Sequence, residues 1–512
     1  MGDRMSEPSE SQVNTKEHPD LYRRSIKGGY WVIALRVCMM VLGFAKSIII
    51  ANFFFLENLG IIAVAAMMME VLSTFTQTGF DTALVQRKGT IHAYLNTAWT
   101  AGLVKGAALF LTLFLCAPLL VLINVPEDKV EITVAVLRAM AFCFLIRGVQ
   151  NIGAIYFQKE LEFGKVFVMT LASSLTDIVL SVVFIYVFRS IWGVIAARIL
   201  SEAVHCAGSY ILSPYRPRFH FELAKARELW KFGKWIYGQT VLGYLLEMGD
   251  NFFVWFYLGL PQLALYKYAF NFANMPATHI DHVISAISFP AYSKIQDDIP
   301  RLREAYLKVL KISVFFAVPV SFLIFILGPD FVKLFLKPDL HPMALALQIL
   351  AVKGLMNATG STRGPLFRAM GRPSITWHLQ WIRLLIMAVT IYPLTKAWGI
   401  AGTAVSTFLL SLLIKPFGFL IAHKMLKCSL AEHLKPSLYP LIGSCVMCVP
   451  IVAMKMITPD GGRVLFFAYA FGGILIYLVS LFLMDYYFDC GIREAIAELR
   501  SLLRRNKRAL RG

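Results

Sequence analysis

Eleven lysines and arginines lie inside stretches that are otherwise apolar: Arg36, Lys46, Lys105, Arg138, Arg147, Arg198, Lys267, Lys353, Arg383, Lys415 and Lys455. Six acids share that setting: Glu70, Asp177, Glu202, Glu247, Asp250 and Asp281. A charge at the middle of a bilayer costs at least ~2.5–3.5 kcal/mol on insertion scales. Seventeen of them require a polar cavity between helices rather than lipid. Cations in such a cavity offer charge-assisted hydrogen bonds to an anion. Arg36 and Lys46 are ten residues apart, which on a helix leaves them about 80° apart, a two-step cationic ladder. Lys105 and Arg147 each fall roughly 15 Å, by helix rise, from the same membrane face. The competing expectation for these four is pairing with Glu70, Asp177 or Glu202. Arg138 stands nine residues before Arg147, on the opposite helix face, and is not expected to join them. Arg198 and Glu202, at i and i+4, are expected to neutralise each other.

Glu247 and Asp250, at i and i+3, put two carboxylates on one side of a helix, where they can hold a proton or Na⁺ or pair with Lys267 or Arg383. His279 and His282 share that spacing, with Asp281 between them off their face, and lack a third ligand. Cys445 and Cys448 form a CxxC inside an apolar span with no second pair and no histidine close by. The remaining cysteines are scattered, so neither a disulfide framework nor a metal site is expected. No GxxxxGK[ST] run and no Ser-His-Asp arrangement is present. Catalytic residues, a cofactor and enzymatic activity are therefore not expected.

The elements that position these charges are legible in the composition. The 512 residues are 58% hydrophobic and 16% charged, against roughly 45–50% and 25% for an average soluble protein. Fourteen apolar segments are long enough to cross a bilayer of about 20 residues, near 30–55, 60–80, 95–123, 130–157, 165–188, 191–213, 235–258, 262–290, 306–328, 343–367, 375–395, 399–422, 436–457 and 464–487. With the N-terminus in the cytoplasm, the loops on that side hold 33 basic residues and the opposite loops 6. That asymmetry is the positive-inside rule, and an odd helix count would destroy it. It also accounts for the net charge of +19 through contact with anionic lipid instead of nucleic acid. No signal sequence is read in the polar first 29 residues. The tail with Arg500, Arg504, Arg505, Lys507, Arg508 and Arg511 reads as a helix drawn to lipid headgroups.

The chain also resembles itself. Lys27-Gly28-Gly29-Tyr30-Trp31 matches Lys231-Phe232-Gly233-Lys234-Trp235, and at the same offset of 204 Leu56 to Gly60 matches Leu260 to Ala264. Trp192-Gly193-Val194 matches Trp398-Gly399-Ile400 at offset 206. The matches fall at corresponding places in the helix order, so segments 1–6 and 7–12 read as a parallel repeat with its cargo site between the halves. The expected architecture is an all-α polytopic membrane protein. Its parts are a cytoplasmic segment 1–29, an N-lobe 30–213, a basic linker 214–234, a C-lobe 235–422, two extra helices in 423–487 and a basic cytoplasmic tail 488–512.

The run Gln77-Thr78-Gly79-Phe80-Asp81-Thr82-Ala83-Leu84-Val85-Gln86-Arg87-Lys88 resembles a loop of Wzx-type polysaccharide exporters, in particular the colanic acid and succinoglycan branch. Asn151 to Gly164 and Phe289 to Lys294 resemble the same family. The resemblance covers about 20–490 and places the chain in the multidrug/oligosaccharidyl-lipid/polysaccharide superfamily. It implies a V-shaped flippase of the bacterial inner membrane that moves polyprenyl-diphosphate-linked oligosaccharide by alternating access, and a polysaccharide polymerase and export machinery as partners. For such a cargo Arg36, Lys46, Lys105 and Arg147 become the diphosphate-binding candidates, and Glu247 and Asp250 the ion-coupling ones. Two other readings remain. A cation-coupled multidrug or metabolite antiporter would favour net acidity in its cavity. A membrane glycosyltransferase or polymerase would carry a large extracytoplasmic loop, and the longest one here, 329–342, is short.

Overall fold

The computed structural model describes residues 18–488 except 78, 79, 81–83, 85–90, 161, 359, 361, 459 and 460, and gives backbone alone at 18–30, 32, 33, 36, 229–236, 239, 275–287, 290, 358 and 488. The first 17 residues, the basic tail, most of the 77–88 run and the side chains of Arg36, His279, Asp281 and His282 thus lie outside the described residues.

Among the described residues the secondary structure is helical, with no strand. The N-terminal half contains α1 (His18–Phe53), α2 (Leu56–Phe75), α3 (His92–Leu120), α4 (Val130–Val149), α5 (Phe163–Phe188) and α6 (Ile191–Leu212). The second half contains α7 (Leu223–Leu258), α8 (Leu260–Lys294), α9 (Ile299–Phe335), α10 (Ala344–Ala358) and α11 (Pro373–Leu426), followed by α12 (Leu430–Ile457) and α13 (Arg463–Phe488). Each of the fourteen apolar segments overlaps one of these helices, though 60–80, 130–157 and 343–367 run on past the ends of α2, α4 and α10. Among the described residues, nine helices are long and apolar enough to cross a membrane.

One of the nine is two helical arms folded together. α11 has 54 residues, about 81 Å if straight, against a hydrocarbon core of about 30 Å. It is broken at Trp398 and Gly399, where Gly399 takes φ +55° and ψ −135°, a conformation open to glycine. The chain doubles back there. Thr395 and Thr403 hydroxyls meet at 2.8 Å, as do Thr390 and Ser406, and Gly402 sits so close to the Leu394 carbonyl that a side chain could not fit.

Helix faces follow the two solvents they meet. On α3, Val104, Leu111, Leu115 and Leu119 are exposed, whereas Leu95, Leu109, Leu113 and Ala117 are buried. An apolar exposed face is the pattern of a helix in lipid. The buried face crosses α4 at Gly102-x-x-x-Gly106 against Gly148. A Cβ on Gly106 would stand 2.6 Å from the Phe144 carbonyl oxygen and 2.8 Å from Gly148 Cα. Small residues at this spacing let membrane helices approach closely.

In the first half α3 packs chiefly on α4, α5 on α6 and α1 on α5; in the second, α9 packs on α10, α10 on α8 and α7 on α11. The halves meet mainly through α2 and α1 against α8. At one end they share a single apolar core that includes Ile50, Leu59, Ile61, Val121, Trp255, Leu260, Leu336 and Leu340. Gly60 of α2 lies directly on the Leu260 backbone of α8 there. At the other end the cores are separate. Leu84, Leu95 and Ile155 form one, and Tyr292, Tyr306, Leu366 and Leu426 form another. The halves are thus joined at one end by a shared apolar core, and at the other, among the described residues, they meet only through local contacts such as Tyr94–Glu228 and Phe75–Tyr244.

Candidate functional site

A cavity of about 420 Å³ opens in the N-terminal half. Lys105 of α3 and Arg147 of α4 both line it, with Gln150, Asn151, Gln158, Thr170 and His205. The Gly106–Gly148 crossing is what brings these neighbours into one cavity, because Lys105 precedes one glycine and Arg147 the other. Arg147 is a bidentate partner of Glu202 on α6, with Nε and Nη2 at 3.0 and 2.6 Å from its two carboxylate oxygens. Arg198 reaches the same carboxylate at 2.8 Å. Two guanidinium groups therefore share one acid, and the trio carries net positive charge beside the cavity.

Lys46 is elsewhere. Its ammonium donates to Asp177 on α5 at 2.5 Å, and it is not among the residues lining the cavity. Lys46 thus takes the pairing with Asp177 that was the competing expectation for it; Arg36, the other step of the ladder, lies outside the described side chains. Arg138 donates to the Phe114 carbonyl at 3.3 Å and sits over that ring, in keeping with the separate role expected of it. Arg198 does neutralise Glu202, but shares it with Arg147.

The C-terminal half holds a second polar group. Asp250 is 1% exposed. Its Oδ2 accepts from the Tyr266 hydroxyl of α8 at 2.8 Å, and its Oδ1 from the backbone and side-chain nitrogens of Asn251. Glu247, one turn earlier, is exposed. The two carboxylates, expected to share a site, have different surroundings: i and i+3 are some 60° apart, enough here to separate a buried position from an open one. Glu247 interacts electrostatically with Glu70 of α2, Lys353 of α10 and Arg383 of α11. Lys353 is buried over the Phe270 ring and feels Asp250 as well. Between the halves, Glu70 of α2 is repelled by Glu247 and attracted by Lys267 of α8.

The joined end is tied by polar bonds between the halves. Asn52 Nδ2 donates to the Phe335 carbonyl at 2.6 Å, and Lys337 Nζ to the Phe53 carbonyl at 3.1 Å. Asn124 Nδ2 donates to the Phe256 carbonyl at 3.1 Å. At the other end, the linker between α6 and α7 is fastened to the start of α3, with Asn96 Oδ1 accepting from the Tyr215 hydroxyl and the Arg218 amide.

The helical bundle resembles proteins of known type in sequence and in fold. The polysaccharide biosynthesis protein family matches residues 49–344, more than half of the chain. The chain belongs to this family. Lipopolysaccharide biosynthesis protein WzxC of Escherichia coli (strain K12) is 26% identical over 376 residues, 72% of this chain and 75% of that one. Succinoglycan biosynthesis transport protein ExoT of Rhizobium meliloti (strain 1021) is 22% identical over 355 residues, 69% and 71% of the two chains. The lipid II flippase MurJ in an inward closed conformation superposes with a TM-score of 0.74 at 15% identity, covering 91% of this chain and 99% of that one. The fold is thus the one seen in that flippase.

Within this member of the polysaccharide biosynthesis family, several contributors were missed by sequence reasoning. Tyr266 and Asn251 hold Asp250, and Asn52, Asn124 and Lys337 tie the two halves. Tyr266 and Asn251 carry no spacing signal, being ordinary residues of an apolar helix. Asn52 and Asn124, polar residues beside the ends of apolar segments, were the available hint.

Proposed function

We propose that the protein carries a lipid-linked oligosaccharide across the bacterial inner membrane by alternating access between its two lobes. The observation that carries this reading is the family membership joined to a cationic cavity in the N-lobe. The costly part of such a cargo is its diphosphate, and Lys105 with the Arg147–Glu202–Arg198 trio offers that anion a net positive, partly desolvated surface. The names of the relatives fit: WzxC is a lipopolysaccharide biosynthesis protein, ExoT a succinoglycan biosynthesis transport protein, and MurJ a lipid II flippase. The same net charge argues against a carrier of cationic drugs. The work is binding and release, with no covalent step. A polymerase and an export apparatus would consume the product on the far side.

The two six-helix halves, the cytoplasmic location of both termini and the fourteen crossings belong to this reading. Corresponding helix pairs pack alike in the two halves: α3–α4 like α9–α10, and α1–α5 like α7–α11. Leu260, which Gly60 contacts, is the repeat partner of Leu56, so the lobes touch near their own symmetry-related positions. Asp250 is the coupling-ion candidate in the C-lobe, and the buried Asn251 Oδ1 beside it has no hydrogen-bond donor among the described residues.

The deciding experiment is mass spectrometry of polyprenyl-linked intermediates in a strain lacking this gene. Completed repeat units should accumulate on the lipid on the cytoplasmic side and disappear on complementation. Lys105→Ala should complement at least tenfold less well at normal membrane levels. A deletion strain with no lipid-linked intermediate would overturn the reading.

A further inference from the structure

Three potential metal ligands meet where α11 ends and α12 begins. His423 is on the last turn of α11, Cys428 lies in the linker, and His433 is in the first turns of α12. Cys428 Sγ is 3.6 Å from His423 Nδ1 and 3.9 Å from His433 Nδ1. One ligand atom from each lies within 4.8 Å of the others. A tetrahedral zinc bound at Zn–S ≈ 2.3 Å and Zn–N ≈ 2.0–2.1 Å holds sulfur and nitrogen about 3.6 Å apart. The two sulfur–nitrogen distances are already at or near that value.

The backbone explains the convergence. Lys427 takes φ +49° and turns the chain at the end of α11. Ser429 then starts α12 with a capping box, accepting from the Glu432 amide at 3.1 Å while Glu432 accepts from the Ser429 amide at 3.0 Å. Only the cysteine stands between those two fixed points, so its thiol faces both helix ends. The surroundings also orient the rings. His433 Nε2 is 3.1 Å from the Tyr306 hydroxyl of α9. With Nδ1 on a metal, Nε2–H donates to that oxygen, the arrangement by which bound histidines are held in one tautomer. Phe419 lies against the same ring at 4.1 Å between centroids. Cys428 and His433 are buried and His423 is partly open, leaving one side for a fourth ligand such as water.

We propose that His423, Cys428 and His433 bind one Zn²⁺, which fastens α11 to α12 and, through Tyr306, to α9. Two imidazoles and a thiolate suit zinc; the oxygen-rich sites of magnesium and calcium are of another kind. The site is independent of the cargo. It departs from the sequence expectation of no metal, which examined the CxxC and the close histidine pair. The spacing His423-x4-Cys428-x4-His433 crosses a helix boundary, so neither helical periodicity nor a short motif exposes it.

The test uses the purified full-length protein in detergent, stripped of metal and titrated with Co²⁺. One equivalent per chain should produce a thiolate-to-cobalt charge-transfer band with tetrahedral ligand-field bands, and Zn²⁺ should displace it. Cys428→Ser should abolish the charge-transfer band, and His423→Ala, at a partly open position, should weaken Co²⁺ binding at least tenfold. Cys445→Ser/Cys448→Ser should change neither. Wild-type protein that gives no such band, or a band that survives Cys428→Ser, overturns the proposal.

Discussion

Arg147 shows what a single residue's partners decide. Removing one partner of a partly buried ion pair leaves the other charge poorly compensated, at about 3–5 kcal/mol for a fully buried pair. Glu202 keeps Arg198 at 2.8 Å, so Arg147→Ala should still insert and fold. A charge-assisted bond to phosphate contributes roughly 1.5–3 kcal/mol, which predicts at least a tenfold loss of export. The double variant Arg147→Ala/Glu202→Gln separates the two roles. A merely structural arginine would be rescued once its acid is neutralised, whereas a cargo-binding one would not, and export in a complemented null strain reads the difference. The carboxylates of α7 make a second pair of expectations. Asp250 is buried among donors while Glu247 is open. Asp250→Asn should therefore change the dependence of transport on a proton or sodium gradient in vesicles, and Glu247→Gln should leave it nearly intact. Equal effects from both variants would return coupling to the pair as a unit. The presence of charges inside apolar segments was legible in the sequence, because each interrupts a run of hydrophobic residues. The candidate acids were legible too, but not which cation each one takes. Lys46 and Asp177 are 131 residues apart, and Arg147 and Glu202 are 55 apart, and only helix packing brings them together. Arg198–Glu202 was readable because both lie on one helix face.

At the scale of the elements, apolar length identified the helices and their order, and the short gap between the segments 375–395 and 399–422 marked the tight hairpin inside α11. What could not be read was which helix ends touch. Asn52, Phe335 and Lys337 meet across almost 300 positions of chain, and no periodicity encodes that. These bonds should act as a latch at the joined end. Each net hydrogen bond contributes about 0.5–1.5 kcal/mol, so losing two biases the lobes toward opening there by roughly 1–3 kcal/mol, a population change of about 5- to 150-fold. Asn52→Ala/Lys337→Ala should speed labelling of a cysteine placed at Leu336, now 6% exposed within the shared core, by an impermeant thiol reagent. An unchanged labelling rate would mean that apolar packing alone, through Leu59, Leu260 and their neighbours, holds the end shut. The cores at the other end are separate, so the apolar core shared by the two halves is concentrated at the joined end.

For the whole molecule, the question is which end faces the cytoplasm, and helix geometry turns it into a parity argument. α3 has 29 residues, about 43 Å, and joins the linker end, where Thr100 and Asn96 bind the 215–220 strand of chain, to the turn that carries Pro126. Glu222 and Pro126 are therefore on opposite sides of any bilayer that α3 crosses. α8 runs 35 residues from the joined end at Leu260 to Lys294, about 52 Å, so if α8 also crosses, Asp298 shares the side of Glu222. The fold alone fixes this relation but not its sense. The sense comes from charge. The loops on the side of residues 222 and 298 carry 33 lysines and arginines by sequence, against 6 on the other, and basic loops remain in the cytoplasm. In intact cells expressing cysteine-free protein, Pro126→Cys should be labelled by an impermeant thiol reagent, while Glu222→Cys and Asp298→Cys should react only after the membrane is permeabilised. Labelling of 222 and 298 with protection of 126 would invert the molecule and turn the end with the separate cores outward. Labelling of 222 and 126 together would break the parity itself, and with it the reading of α3 as one crossing. With 222 and 298 inside, the Lys105–Arg147 cavity opens on the same side as the linker, where a diphosphate arriving from the inner leaflet would meet its first fixed cations.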